Sequence, residues 1–201
     1  MKTLLHIKTS LNGEDGQSTQ LSNQFAERWL AANPGGQIVV RDLAAQPVPH
    51  LDGERFGAFL TPAEKRSTNQ QVIVDYSDQL IAELKGADAI VIGLPMYNFG
   101  IPSTLKAYFD HVARSGITFT YTEQGSKGLL PDIPVHIIAA RGGLYAGTPA
   151  DSQTGYMQAF LSFIGLTNVR FIYAEGINMG GDNKARAIDQ AKTQINQAIA
   201  A

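Results

Sequence analysis

A chain of 201 residues with 44% hydrophobic and 17% charged side chains has enough apolar content for one well-filled domain and too much for disorder. Its formal net charge of -2 argues against a nucleic-acid binder, which would carry a basic excess. The absence of cysteine removes disulfides, thiolate nucleophiles and cysteine-ligated metals.

Residues 2–9 read as a buried first strand. Their apolar run is too short for a signal-peptide core or a membrane span, so a cytoplasmic protein is expected. Residues 17–32 read as a helix, because Leu21, Phe25 and Trp29 share one face, and Asn33-Pro34-Gly35-Gly36 ends it. Residues 37–41 form a second strand rich in β-branched side chains. After a Pro-rich connection, Thr61-Pro62-Ala63-Glu64 resembles a helix start, and Val72, Tyr76, Leu80 and Leu84 continue at helical spacing. Residues 88–94 are an unbroken apolar run ended by Pro95, the pattern of a central strand covered on both faces. A helix follows from about Pro102, with Leu105, Tyr108, Phe109 and Val112 inward. Residues 134–140 and 168–174 are the fourth and fifth strands, with a helix over 155–164 between them and another over 182–201 at the end.

This alternation predicts one α/β domain over 1–201: a doubly wound, five-stranded parallel sheet of order 2-1-3-4-5 with helices on both faces. Residues 116–132 break the rhythm. There Ile117, Phe119 and Tyr121 alternate with Thr118, Thr120 and Thr122, which predicts a hairpin or flap and a candidate lid.

In open sheets of this kind a ligand sits beyond the carboxyl ends of the strands where strand order reverses. Three loops therefore matter. The first, residues 9–19, supplies Ser10, Ser18 and Thr19 as hydroxyl donors, glycines for close approach, and a helix N-terminus suited to a phosphate; a simple helix cap is the alternative. Neither a P-loop pattern nor Gly-x-Gly-x-x-Gly occurs. The second loop, Pro95-Met96-Tyr97-Asn98-Phe99, is oddly apolar, which suits a planar aromatic ligand or packing against a neighbour. The third, Ala140-Arg141-Gly142-Gly143, allows backbone N–H groups to approach a ligand or make a tight turn.

Ser10, Gly16-Gln17-Ser18, Pro95-Met96-Tyr97-Asn98-Phe99 and Arg141-Gly142-Gly143 resemble the FMN-binding motifs of bacterial FMN-dependent NADH azoreductases, also described as FMN-dependent NADH:quinone oxidoreductases. The resemblance spans the whole chain and implies a flavodoxin-like fold. It implies a homodimer with FMN at the subunit interface and a ping-pong cycle from NADH or NADPH to quinones and azo compounds. Carried over by position, Ser10, Gly16, Gln17 and Ser18 would hold the phosphate and ribityl end. Met96, Tyr97, Asn98 and Phe99 would hold the ring, and Ala140, Arg141, Gly142 and Gly143 its pyrimidine side. Ala140 stands where a small hydroxyl residue is common, and Tyr145 where some relatives carry His.

No catalytic side chain is expected, since a flavin would carry the chemistry. Phe119, Tyr121, Tyr145 and Phe163 are expected to shape the acceptor pocket, with the flap aromatics reaching over the site of their own or of the partner subunit. A non-catalytic flavodoxin-type electron carrier is the alternative, but such carriers are strongly acidic and this chain is nearly neutral. His6 and His136 fall inside strands and read as structural; no His/Asp/Glu spacing suggests a metal, and no partner membrane is expected.

Overall fold

The computed structural model describes residues 1–200. Its strands in chain order are β1 (Thr3–Lys8), β2 (Gln37–Asp42), β3 (Ala89–Pro95), β4 (Phe119–Thr122), β5 (Gly125–Gly128), β6 (Val135–Ala140) and β7 (Val169–Ala174). Five of them form a parallel sheet in the order β2-β1-β3-β6-β7. The numbering departs from the expected 2-1-3-4-5 because the 116–132 segment contributes two strands of its own. These, β4 and β5, pair antiparallel as a separate hairpin.

The helices are α1 (Gln17–Ala32), α2 (Gly53–Leu60), α3 (Thr68–Lys85), α4 (Ser103–Val112), α5 (Ser152–Ile164) and α6 (Asn183–Ala200). Alternation along the strands splits the core into two layers, since successive side chains point to opposite faces. Leu5, Ile7, Ile90, Ile92 and Ile137 pack with α3, α4 and α5 through Leu80, Leu105, Tyr108 and Leu161. Leu4, Val91, Ile138 and Ile172 pack with α1 and α6 through Leu21, Phe25, Ala191 and Ile195. The central strand β3 is buried throughout, as its apolar run required.

The connection between β2 and β3 differs from the sequence reading. Residues 63–65 make only a 3-10 turn, and α3 begins after Ser67, whose hydroxyl accepts from the Gln70 N–H while the Gln70 side chain accepts from the Ser67 N–H. That reciprocal capping box satisfies two N-terminal groups and outcompetes the Thr61-Pro62 signature. Val72 is 61% exposed, so the inner face of α3 is Ile73, Ser77, Leu80 and Leu84 rather than the row through Val72. The short helix α2, capped by the Asp52 side chain, has no counterpart among the elements expected from the sequence.

Two strand histidines, His6 buried and His136 half-buried, give the fold an acid sensitivity. Burial, with Lys8 nearby, pushes the His6 imidazole down to about 4. Burial and the Arg170 charge do the same to His136, which packs 4.6 Å from the Phe25 ring. Unfolded, both would take up protons near the ordinary value of about 6.5. Below that pH the unfolded state binds more protons, so stability falls as pH drops from about 6.5 towards 4. Each histidine contributes a slope of at most about 1.4 kcal/mol per pH unit. Thermal melts are expected to drop between pH 7 and pH 5, and His6→Gln, which keeps a partner for the Ser22 hydroxyl, to flatten that drop. A melting temperature independent of pH over this range would disprove the assignment.

Candidate functional site

A cleft opens beyond the carboxyl ends of β1, β3 and β6. It is lined by Ser10, Asn12, Gly16, Gln17, Ser18, Pro95, Met96, Tyr97, Ala140, Arg141, Gly142, Ile177 and Asn178. The strand order explains why. Helix α1 follows β1 on one face and α4 follows β3 on the other, so the two loops diverge and leave a crevice between them.

The first loop reaches the cleft as the start of α1. Its N-cap is Gly16, so no side chain caps the helix and its first N–H groups have no side-chain acceptor at the cap. Ser18 is buried in that first turn, and its hydroxyl has no hydrogen-bond partner. A buried polar group without a partner costs stability unless something else supplies one. Gly16 lies so close to Ser10 that a Cβ there would stand 2.1 Å from the Ser10 Oγ and 2.7 Å from its Cβ.

The second loop is a two-residue hairpin. Tyr97 and Gly100 exchange both backbone hydrogen bonds, at 3.2 and 2.9 Å, and Asn98 and Phe99 between them have φ of 49° and 63°. Positive φ at both central residues marks a type I′ turn, which carries strain at Phe99 because of its Cβ. The Tyr97 hydroxyl reaches back to accept from the Leu11 N–H at 3.0 Å, tying the second loop to the first.

The third loop brings Arg141 into the core rather than the cleft. Its Nε donates to the Gln153 Oε1 at 3.2 Å, one Nη to Glu175 at 3.1 Å, and the other to Asp151 and Thr154 at 3.0 and 3.2 Å. The guanidinium also sits 5.0 Å from the Tyr173 ring centroid. Burial pushes the Asp151 carboxyl up, but bonds from Thr154 and Arg141 outweigh this and hold it below the usual carboxylate range. The Arg141 guanidinium is therefore committed, its backbone N–H and carbonyl are taken by Ala174 and Ile177, and no cationic side chain is left to face the cleft among its lining residues. An anion there would be met by helix N–H groups and hydroxyls.

Nine of the twelve positions expected to hold a cofactor line this cleft: Ser10, Gly16, Gln17, Ser18, Met96, Tyr97, Ala140, Arg141 and Gly142. Asn98, Phe99 and Gly143 do not. Asn98 is exposed at the crown of the turn, and Phe99 lies 5.7 Å from the Tyr145 ring, edge to face, on the outer rim. Phe119 and Phe163 pack together at 4.2 Å, and Phe119 meets Tyr121 at 5.6 Å. Phe119 and Tyr121 face a separate groove with Phe56, Phe59, Leu60 and Arg114, so neither covers the cleft of its own chain.

Sequence reasoning missed Asn12, Ile177 and Asn178. The loop after β7 lies beside the third loop because their strands pair, and the N–H groups of Gly176, Ile177 and Asn178 donate to the carbonyls of Gly143, Arg141 and Gly142. The glycines at 176, 180 and 181 after a strand end were the available signal.

Residues 2–199 match the family model described as the flavodoxin-like fold. An FMN-dependent NADH:quinone oxidoreductase from Cellvibrio japonicus is 59% identical over 201 residues, covering 100% of both chains. The chain belongs to the flavodoxin-like family of FMN-dependent NADH:quinone oxidoreductases. A family member from Burkholderia lata, FMN-dependent NADH:quinone oxidoreductase 6, is 53% identical over 97% of this chain and 98% of its own. Among solved structures, an FMN-dependent NADH-azoreductase from Bacillus anthracis in complex with FMN superposes with a TM-score of 0.90 at 25% identity. The match covers 100% of this chain and 98% of that one. Among the described residues, no cluster of His, Asp and Glu could hold a metal ion, and no helix is long and apolar enough to cross a membrane.

Proposed function

We propose that this protein is an FMN-dependent oxidoreductase that passes electrons from NADH or NADPH to quinones and azo compounds in a ping-pong cycle. The observation that carries the reading is the buried, unpartnered Ser18 hydroxyl at an uncapped helix N-terminus, inside a cleft that also gathers Met96, Tyr97, Ala140 and Gly142. Its fit to FMN is specific in kind. The hydroxyl and the N–H groups of the first turn suit the phosphate of the mononucleotide, and Gly16 against Ser10 keeps the loop tight enough to present them.

When bound, FMN supplies the two-electron chemistry. The chain's own residues position it. Ser10, Gly16, Gln17 and Ser18 hold the phosphate and ribityl end, Met96 to Phe99 bound the ring, and the backbone from Ala140 to Gly143 serves the pyrimidine edge. Free N–H groups of that glycine loop favour negative charge building beside them. Ala140 can offer only its backbone there.

A cytoplasmic homodimer is part of the same reading. Phe56, Leu60 and Tyr121 are 54%, 66% and 73% exposed around one groove, an apolar surface that a second copy would cover. The hairpin aromatics Phe119 and Tyr121 would then serve the partner's site.

The test is direct. Purified protein should be yellow, oxidise NADH with a quinone, and give parallel double-reciprocal lines. Ser18→Ala should weaken FMN binding by roughly ten- to a hundredfold, the worth of one hydrogen bond to a charged group, with little change in melting temperature. Protein that stays apo when incubated with FMN would end the reading. Bound FMN without NADH oxidation would leave an electron carrier.

A further inference from the structure

We infer that Gln153 is a positioning residue for the ring-holding turn, acting as the brace that keeps Asn98 and Phe99 in their left-handed conformation. The inference rests on the function proposed above. Gln153 lies in the first turn of α5, far from the cleft in sequence, and its side chain is fully buried. Its amide nitrogen donates to two carbonyls at once, Pro95 O at 2.9 Å and Gly100 O at 2.9 Å. Those two residues bracket the second loop. The other end of the same amide, Oε1, accepts from the Arg141 Nε at 3.2 Å. One carboxamide thus spans the second and third loops, and it uses both donor protons and its acceptor to do so.

The turn needs such a brace. A type I′ turn favours Asn-Gly at its centre, and here the second central residue is Phe99, whose Cβ penalises φ of 63°. A strained residue persists only where its surroundings over-determine it. The Tyr97–Gly100 backbone pair closes the turn, and Gln153 fixes the base beneath it. Arg141 in turn is held by Asp151, Glu175 and Thr154, so the brace is anchored to a rigid buried group. Removing the amide would take the side-chain donor from the Pro95 carbonyl, leave the Gly100 carbonyl with only the Tyr97 N–H, and free the turn to relax toward ordinary φ. Met96 to Phe99 would then no longer present a fixed surface to a planar ligand.

The experiment compares Gln153→Met, of similar length but without donors, with wild type, each alone and with Phe99→Gly. Glycine adopts positive φ without strain, so a turn carrying it should hold its shape unaided. In the Phe99 background, Gln153→Met is expected to weaken FMN binding roughly tenfold or more and to shift the visible bands of the bound flavin. In the Phe99→Gly background the same substitution is expected to change affinity and spectrum little. A purely structural role would lower the melting temperature equally in both backgrounds and leave the spectrum of the FMN-saturated protein unchanged; that result overturns the inference. Gln153→Asn, which keeps the amide but shortens its reach, serves if Met prevents folding, and failure of both to fold also overturns it. Wild-type protein that binds no FMN refutes the functional reading instead, and is distinguished by the first titration alone.

Discussion

Gly16→Ala is expected to cost the protein its flavin while sparing its fold. The added Cβ would stand 2.1 Å from the Ser10 Oγ and 2.7 Å from the Ser10 Cβ. The hydroxyl could rotate away, but the Cβ is fixed to the backbone of the residue just beyond β1. The first loop must therefore open, and the start of α1 must shift relative to Ser10. Little of the core depends on this contact, because the buried apolar face of α1 begins at Leu21 and runs through Phe25 to Trp29. FMN binding is expected to fall by roughly a hundredfold or more, as several phosphate contacts are displaced together, each worth about 1.5–3 kcal/mol. Isothermal titration with FMN, beside a thermal melt of the apo protein, separates the two effects. An unchanged affinity would mean that the first loop does not hold the phosphate.

Gly128→Ala is expected to be the most damaging single substitution to stability. A Cβ at 128 would lie 2.1 Å from the Gly165 nitrogen and 2.3 Å from its Cα, and 2.5 Å from the Ile164 carbonyl carbon. These are backbone atoms at the end of α5 and cannot move aside as a side chain does. The β4–β5 hairpin docks there, and Leu130 N donates to the Ile164 carbonyl just beyond it. Overpacking of this severity costs about 3 kcal/mol or more, which for a chain of this size lowers the melting temperature by roughly 6–12 °C. The substitution should also disturb acceptor turnover more than FMN binding. Phe119 packs on Phe163 of α5 and would lose its seat, whereas the cleft lies on other loops. Equal losses in both would disprove a separate role for the hairpin.

The strands were legible because burial on both faces leaves an unbroken apolar run, as in β3, and a run of that length fits little besides a central strand. The loops at their ends followed from topology once the alternation was seen. What resisted reading was set by geometry rather than composition. Helix α2 buries only Ala58 and leaves Phe56 and Leu60 outside, so its apolar residues gave no inward face to count. The start of α3 was read at Thr61-Pro62, and the reciprocal bonds of Ser67 and Gln70 place it at Thr68 instead. Arg141 was read in the third loop as a cofactor contact, yet its guanidinium turns inward, because Asp151, Glu175 and Gln153 converge on it from other elements. Asn178 entered through pairing of the loop after β7 with the third loop, a contact between residues far apart in the chain that the glycines of that loop signal only as a turn.

The inward turn of Arg141 has a consequence for how sequences of this kind can diverge. One guanidinium binds Asp151, Gln153, Thr154 and Glu175 and faces the Tyr173 ring. Changing either carboxylate alone leaves a fully buried cation with a single counter-charge, and changing the arginine alone leaves two part-buried carboxylates without theirs. Lysine offers no planar fork to reach the set. Single steps away from this arrangement are all downhill in stability, so the six positions should drift together or stay as they are. The pocket wall they carry is then inherited as one unit, while the rim at Phe99 and Tyr145, free of that obligation, is left open to vary with the acceptor.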